Sequence, residues 1–67
     1  MKQQLEDLVE EMVTRGILFE DARREFEKRF IARVVLHHKG NLSRAAKVLR
    51  IHRNTLGKKI QEYKLQS

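Results

Sequence analysis

The chain contains no cysteine, no proline and no tryptophan. Without thiols it has no disulfide framework and no thiolate metal site. Without proline it carries no built-in helix breaker, and its 67 residues are rich in the helix formers Leu, Glu, Lys, Arg, Ala and Gln. No apolar run approaches the roughly 20 residues of a membrane span, and the N-terminus lacks a signal-peptide core, so a cytoplasmic chain without a membrane partner is expected. Nor does it show a nucleophile–base pair, a phosphate-cradling glycine loop or a convergent carboxylate cluster. No catalytic residue, cofactor or small-molecule substrate is expected, and the chain reads as a non-enzyme. Aromatics number only four, which provides no stacking platform for single-stranded nucleic acid. Adjacent His37 and His38 diverge by about 100° on a helix and cannot easily share one ion, so no metal site is expected.

A chain this short buries only about 60% of its unfolded surface. With no staple available, an all-α fold stabilised by oligomerisation is the natural solution. What the sequence does have is charge, and the charge is segregated. Residues 1–27 hold eight acidic and four basic residues, whereas residues 28–67 hold eleven basic residues and one acid, Glu62. The net +6 is thus a −4 part joined to a +10 part. A merely solvated surface needs no such segregation, and a polyanion partner explains it.

Four helices are expected. The first runs from about Gln3 to Thr14, with Leu5, Leu8, Val9, Met12 and Val13 on one face and Gly16 suited to a left-handed C-terminal cap. Ile17, Leu18 and Phe19 form an apolar connector. The second helix spans about Glu20 to His38, with Ala22, Phe26, Phe30, Ile31, Val34, Val35 and Leu36 as its apolar set, and Gly40 ends it. Glu20 and Asp21 suit its positive N-terminal end, and His37, His38 and Lys39 its negative end. The third covers about Leu42 to Leu49 with Asn41 as N-cap, and the fourth about Arg53 to Lys64, with Leu65 packing back beyond it.

The last two helices carry the most information. Ala45, Ala46, Val48 and Leu49 sit at helical spacing, with two small residues where another helix can approach closely. Arg50-Ile51-His52 interrupts the helix, and Leu56 and Ile60 resume an apolar stripe. Arg53, Asn54, Lys58 and Lys59 are assigned to the opposite face. This pattern is a helix-turn-helix, in which one helix braces and the next lies in a major groove. Arg53, in the first turn of the reading helix, suits a bidentate pair with guanine, and a phosphate contact is the plainer reading. Arg44, Lys47, Lys58 and Lys59 suit phosphates, as do the side chains of Asn41 and Thr55. Lys47 also reads as a plain solvated charge. His52 either caps the fourth helix or faces DNA. The short third and fourth helices need the second half of the second helix beneath them. The first helix and the front of the second make a hairpin whose face (Leu5, Leu8, Val9, Met12, Phe26 and Phe30) is best covered in a homodimer.

Gly40-Asn41-x-Ser43-Arg44-Ala45-Ala46-x-x-Leu49, Ile51-x-Arg53-Asn54-Thr55-Leu56 and Lys58-Lys59-Ile60 together resemble the Fis-type helix-turn-helix family. That family includes the nucleoid protein Fis and the C-terminal DNA-binding domains of NtrC-like, sigma-54-dependent activators. Upstream, Glu25 to Ile31 is similar to the helix preceding the motif in the activators, and the likeness extends over about residues 17–65. The resemblance implies a dimer built from the two N-terminal helices, with paired reading helices in successive major grooves of bent, double-stranded DNA. It implies base contact by Arg53 with His52 beside it, and phosphate contact by Asn41, Ser43, Arg44, Thr55 and Lys58.

Two residues depart from the family pattern. Arg50 stands where glycine is usual in the turn, and Gly57 where a large side chain is common. The leading expectation is therefore a bacterial, sequence-preferring, DNA-bending homodimer acting in transcription or nucleoid organisation. The alternatives are the output domain of a larger activator and a protein–protein adaptor. Met1 directly before the first helix suggests a complete small protein.

Overall fold

The computed structural model describes residues 1–65. Within them the backbone forms four helices, α1 (Lys2–Thr14), α2 (Phe19–His37), α3 (Leu42–Leu49) and α4 (Arg53–Tyr63), and no strand. The all-α expectation is met, with boundaries moved by a residue. α2 begins at Phe19 and ends at His37, and α4 ends at Tyr63.

All four helices stop in the same way. A left-handed residue follows each one, namely Gly16, Lys39, Arg50 and Lys64. The next amide then donates back to a carbonyl five residues earlier: Ile17 to Met12 at 3.0 Å, Gly40 to Val35 at 3.0 Å, Ile51 to Ala46 at 3.1 Å and Leu65 to Ile60 at 2.9 Å. This satisfies carbonyls that a helix end leaves without partners. Only the first of the four left-handed positions is glycine. At Lys39, Arg50 and Lys64 the Cβ crowds the backbone at roughly 1–2 kcal/mol per residue. A cation beside the negative end of a helix offsets part of that cost, by about 0.3–1 kcal/mol. The sequence marks only Arg50 as standing where glycine is usual, and it has Gly40 end α2. The left-handed turn there begins one residue earlier, at Lys39 (φ 53), and continues through Gly40 (φ 81).

The core lies between the second half of α2 and the α3–α4 pair. It consists of Ile31 and Val35 from α2, Ala45 and Ala46 from α3, and Leu56, Ile60 and Tyr63 from α4. Val34, Leu42, Leu49, Ile51 and Leu65 pack around it, half-buried. Helix α3 packs on both α2 and α4, and its two alanines permit the close approach. Ala45 is wholly buried (0% exposed) and Ala46 nearly so. Leu65 folds back on the core as expected. Tyr63, absent from the expected core, completes the Leu56–Ile60 stripe. Leu36, expected in the apolar set of α2, is exposed instead.

Helix α1 contributes no buried residue. Its Leu8 and Met12 line a shallow groove together with Phe26 and Phe30 of α2, but α1 and α2 make few close backbone approaches, so the two helices of the expected hairpin are only loosely packed. Leu5, Leu8 and Val9 remain 48% exposed, Phe30 49% and Phe26 59%. The two phenylalanine rings lean on each other at 5.5 Å between centroids.

The fully buried Ala45 has no room for a larger side chain. Ala45→Leu should destabilise the domain by about 1–3 kcal/mol through overpacking, read as a lower urea midpoint with unchanged slope. A neutral result would mean that α3 does not cross its neighbours at this alanine.

Candidate nucleic-acid interface

Helix α3, the turn Arg50-Ile51-His52 and helix α4 form a helix-turn-helix seated on α2. Two side-chain caps define its corners. Asn41 Oδ1 accepts the Arg44 amide at 3.1 Å, fixing the start of α3. His52 Nδ1 accepts the Asn54 amide at 3.0 Å, fixing the start of α4. An imidazole that accepts through Nδ1 is unprotonated there and keeps Nε2–H as a donor. Asn41 likewise retains its amide NH2. Capping and anion contact, alternatives for these residues in the sequence, use different atoms of each side chain.

Ser43, Arg44 and Lys47 on α3 are exposed, as are Arg50 and His52 in the turn and Arg53, Asn54, Thr55 and Lys58 on α4. Among the described residues, the ion pairs join Arg15 to Glu11, Arg23 to Glu20 and Glu27, Arg24 to Glu62, Arg29 to Glu25, and Lys59 to Glu27. From Arg44 to Lys64, therefore, six cations (Arg44, Lys47, Arg50, Arg53, Lys58 and Lys64) have no acidic partner. A surface with this many uncompensated cations on a rigid frame attracts polyanions.

Lys59 departs from that pattern. Expected on the outer face beside Arg53, Asn54 and Lys58, it lies half-buried with its ammonium 3.2 Å from both carboxylate oxygens of Glu27 on α2. Its side chain is turned towards α2 because Leu56, Ile60 and Tyr63 set the rotation of α4, and Lys59 borders that buried stripe. The same carboxylate accepts the Tyr63 hydroxyl and lies 3.7 Å from Arg23. Arg24 adds its guanidinium over the Tyr63 ring, 5.8 Å from the centroid. The hydrogen bond from Tyr63 holds the Glu27 carboxyl below the usual carboxylate range, with Lys59 adding to the effect against the opposing desolvation. That bond also raises the Tyr63 phenol above its ordinary value, helped by partial burial.

Sequence reasoning missed both Glu27 and Tyr63. Tyr63 was within reach, because it continues the stripe of Leu56 and Ile60 at a spacing of three. Glu27 pairs with residues 32 and 36 positions away, a separation that no local pattern reports.

Gly57 faces open space. A Cβ built there meets nothing within 4 Å, so the protein itself does not require glycine at this position. Among the described residues, no group of three or more His, Cys, Asp or Glu is placed to hold a metal ion, and no helix is long and apolar enough to cross a membrane.

A basic helix-turn-helix on a supporting helix defines a class of domain, and sequence comparison narrows it. The profile of the bacterial regulatory proteins of the Fis family matches residues 22–63, and the chain belongs to that family. It is 48% identical over 48 residues to a protein of Xylella fastidiosa (strain Temecula1 / ATCC 700964) carrying the name Fis-like DNA-binding protein. The match covers 72% of this chain and 53% of the relative, so the chain spans about half the length of the curated relative it matches. No solved structure matches.

Two predictions follow from the geometry. Gly57→Ala should stabilise the domain by roughly 1 kcal/mol, since the helix gains propensity without a clash; an unchanged or lower urea midpoint would contradict the open space. The second concerns pH. Because the folded-state pKa of Glu27 is lowered, its stabilising effect is present above the usual carboxylate range and is lost as pH falls through the folded value. Because that of Tyr63 is raised, its effect is present below the ordinary phenol value and is lost as pH rises through the folded one. Tyr63→Phe should therefore lower Tm by several degrees at neutral pH. The gap to the parent protein should close below about pH 4 and again above about pH 10. A gap that stays constant across a pH series of thermal melts would exclude the link.

Proposed function

We propose that the chain binds double-stranded DNA as a homodimer, with α4 in the major groove and α3 bracing it across the backbone. The observation that carries this reading is the row of unpartnered cations on the outward side of the helix-turn-helix, with Arg53 at the first turn of α4. In this arrangement Arg53 reads base edges with His52 beside it. Asn41, Ser43, Arg44, Thr55 and Lys58 hold phosphates. The name of the Xylella relative supports DNA as the partner. Dimerisation is supported by the half-exposed face of Leu5, Leu8, Val9, Met12, Phe26 and Phe30, which a two-fold partner would withdraw from water. The family's arrangement implies that the paired reading helices bend DNA to reach successive grooves, and the role that fits is bacterial transcription regulation or nucleoid organisation.

The test is a fluorescence-anisotropy titration against random duplex and against a site selected from a duplex library, across a salt series. The parent protein should show log affinity falling linearly with log salt as counterions are released. Arg53→Ala should lose ~1–3 kcal/mol on the selected site and much less on random duplex. Equal losses on both would remove base reading from Arg53. A flat salt plot would remove DNA binding, and a monomer in sedimentation at micromolar concentration would remove the homodimer.

A further inference from the structure

We propose that Glu27 is a positioning residue for the DNA-binding face: it holds Lys59 on the α2 side of α4, away from phosphate, and so limits sequence-independent binding. The inference rests on the DNA-binding reading above and adds to it a residue that lies outside the helix-turn-helix.

Lys59 follows Thr55 by one helical turn and Lys58 by one residue, so its backbone stands at the edge of the phosphate-directed surface. A lysine stem is long and flexible, and on an unconstrained helix its ammonium reaches outward. Here it is turned inward, 3.2 Å from both oxygens of Glu27, with side chains only 30% and 25% exposed. Among the described residues it is the one cation of α3, the turn and α4 that has an acidic partner.

Glu27 cannot swing away to follow the lysine. Its carboxylate is fixed from two further directions, by the hydroxyl of the buried Tyr63 and by Arg23 at 3.7 Å. The acceptor is thus anchored to the core, and the donor is the mobile member of the pair. Phosphate contacts raise affinity for every sequence alike, whereas base contacts discriminate. Withholding one lysine from the backbone lowers nonspecific binding and leaves the contribution of Arg53 untouched. Bonded to both oxygens of a carboxylate that is mostly shielded from water, the Lys59 ammonium stays inward while Glu27 is charged, and loss of that charge frees it.

The test compares the parent protein, Glu27→Gln, Lys59→Gln and the double variant on random duplex DNA over a sodium chloride series. Glutamine keeps an acceptor for Tyr63 while removing the charge. Glu27→Gln should bind several-fold tighter at low salt, with a log–log slope steeper by about 0.9 per protomer, the signature of one added phosphate contact. Lys59→Gln alone should leave the parent slope unchanged, and the double variant should return to it. Weaker binding by folded Glu27→Gln at unchanged slope would reduce Glu27 to a structural role and overturn the proposal. A slope lowered by about 0.9 per protomer in Lys59→Gln alone would also overturn it, because Lys59 would then already lie on phosphate. That arm decides the matter even if Glu27→Gln fails to fold by circular dichroism. If the parent protein shows no salt-dependent binding, the DNA-binding reading and this inference fall together. If it binds and the slopes do not move as stated, only the inference falls.

Discussion

Burial of the Leu56–Ile60–Tyr63 stripe against α2 and the two alanines of α3 is the constraint on which everything else depends. Helices of 8 and 11 residues are too short to be stable alone in water. They persist because one face of each is removed from solvent. That burial fixes the rotation of α4 about its own axis, and the rotation decides which residues face outward. Arg53, Asn54, Thr55 and Lys58 are presented to solvent because Leu56, Ile60 and Tyr63 are not. Lys59, at the border of the two faces, falls within reach of α2. The outward basic surface and the core are two consequences of one packing choice.

Much of this was legible in the sequence because the signals are local. Paired alanines, a break at Arg50–His52, an apolar stripe resuming at Leu56 and a capping asparagine at position 41 each act within a few residues. Gly16 and Asn41 behave as their backbone chemistry demands. What escaped is long-range or competitive. The Glu27–Lys59 pair depends on how two helices meet, and no spacing rule encodes that. Lys39 and Lys64 in left-handed conformation escaped because propensity assigns such positions to glycine. Helix geometry at the C-terminus overrode that preference. Leu36 was counted as apolar core by composition, but the crossing of α3 on α2 covers Ile31 and Val35 and leaves Leu36 outside.

The left-handed cations also bear on how a small domain balances charge with stability. Glycine at Lys39, Arg50 and Lys64 would relieve backbone crowding, but it would also enlarge the unfolded ensemble by about 0.4–1 kcal/mol per site. With the helix-end attraction added, a lysine or arginine there comes close to neutral. The chain thereby gains three fixed positive charges at the ends of α2, α3 and α4 at little net cost. The same logic separates its two halves. Glu11 of α1 and Glu20, Glu25 and Glu27 of α2 take part in ion pairs, whereas among the described residues most of the basic residues that follow have no acidic partner.

Because α1 places no side chain in the core, its hydrogen bonds are guarded by little beyond the helix itself. Amide protons of α1 in a lone chain should therefore exchange with solvent through local opening, at rates far above those of the α2–α3–α4 unit. Covering the α1 face would slow them without any change in the rest of the fold. The exchange rate of α1 reports whether the apolar face is covered, while the core it leans on keeps the same protection throughout.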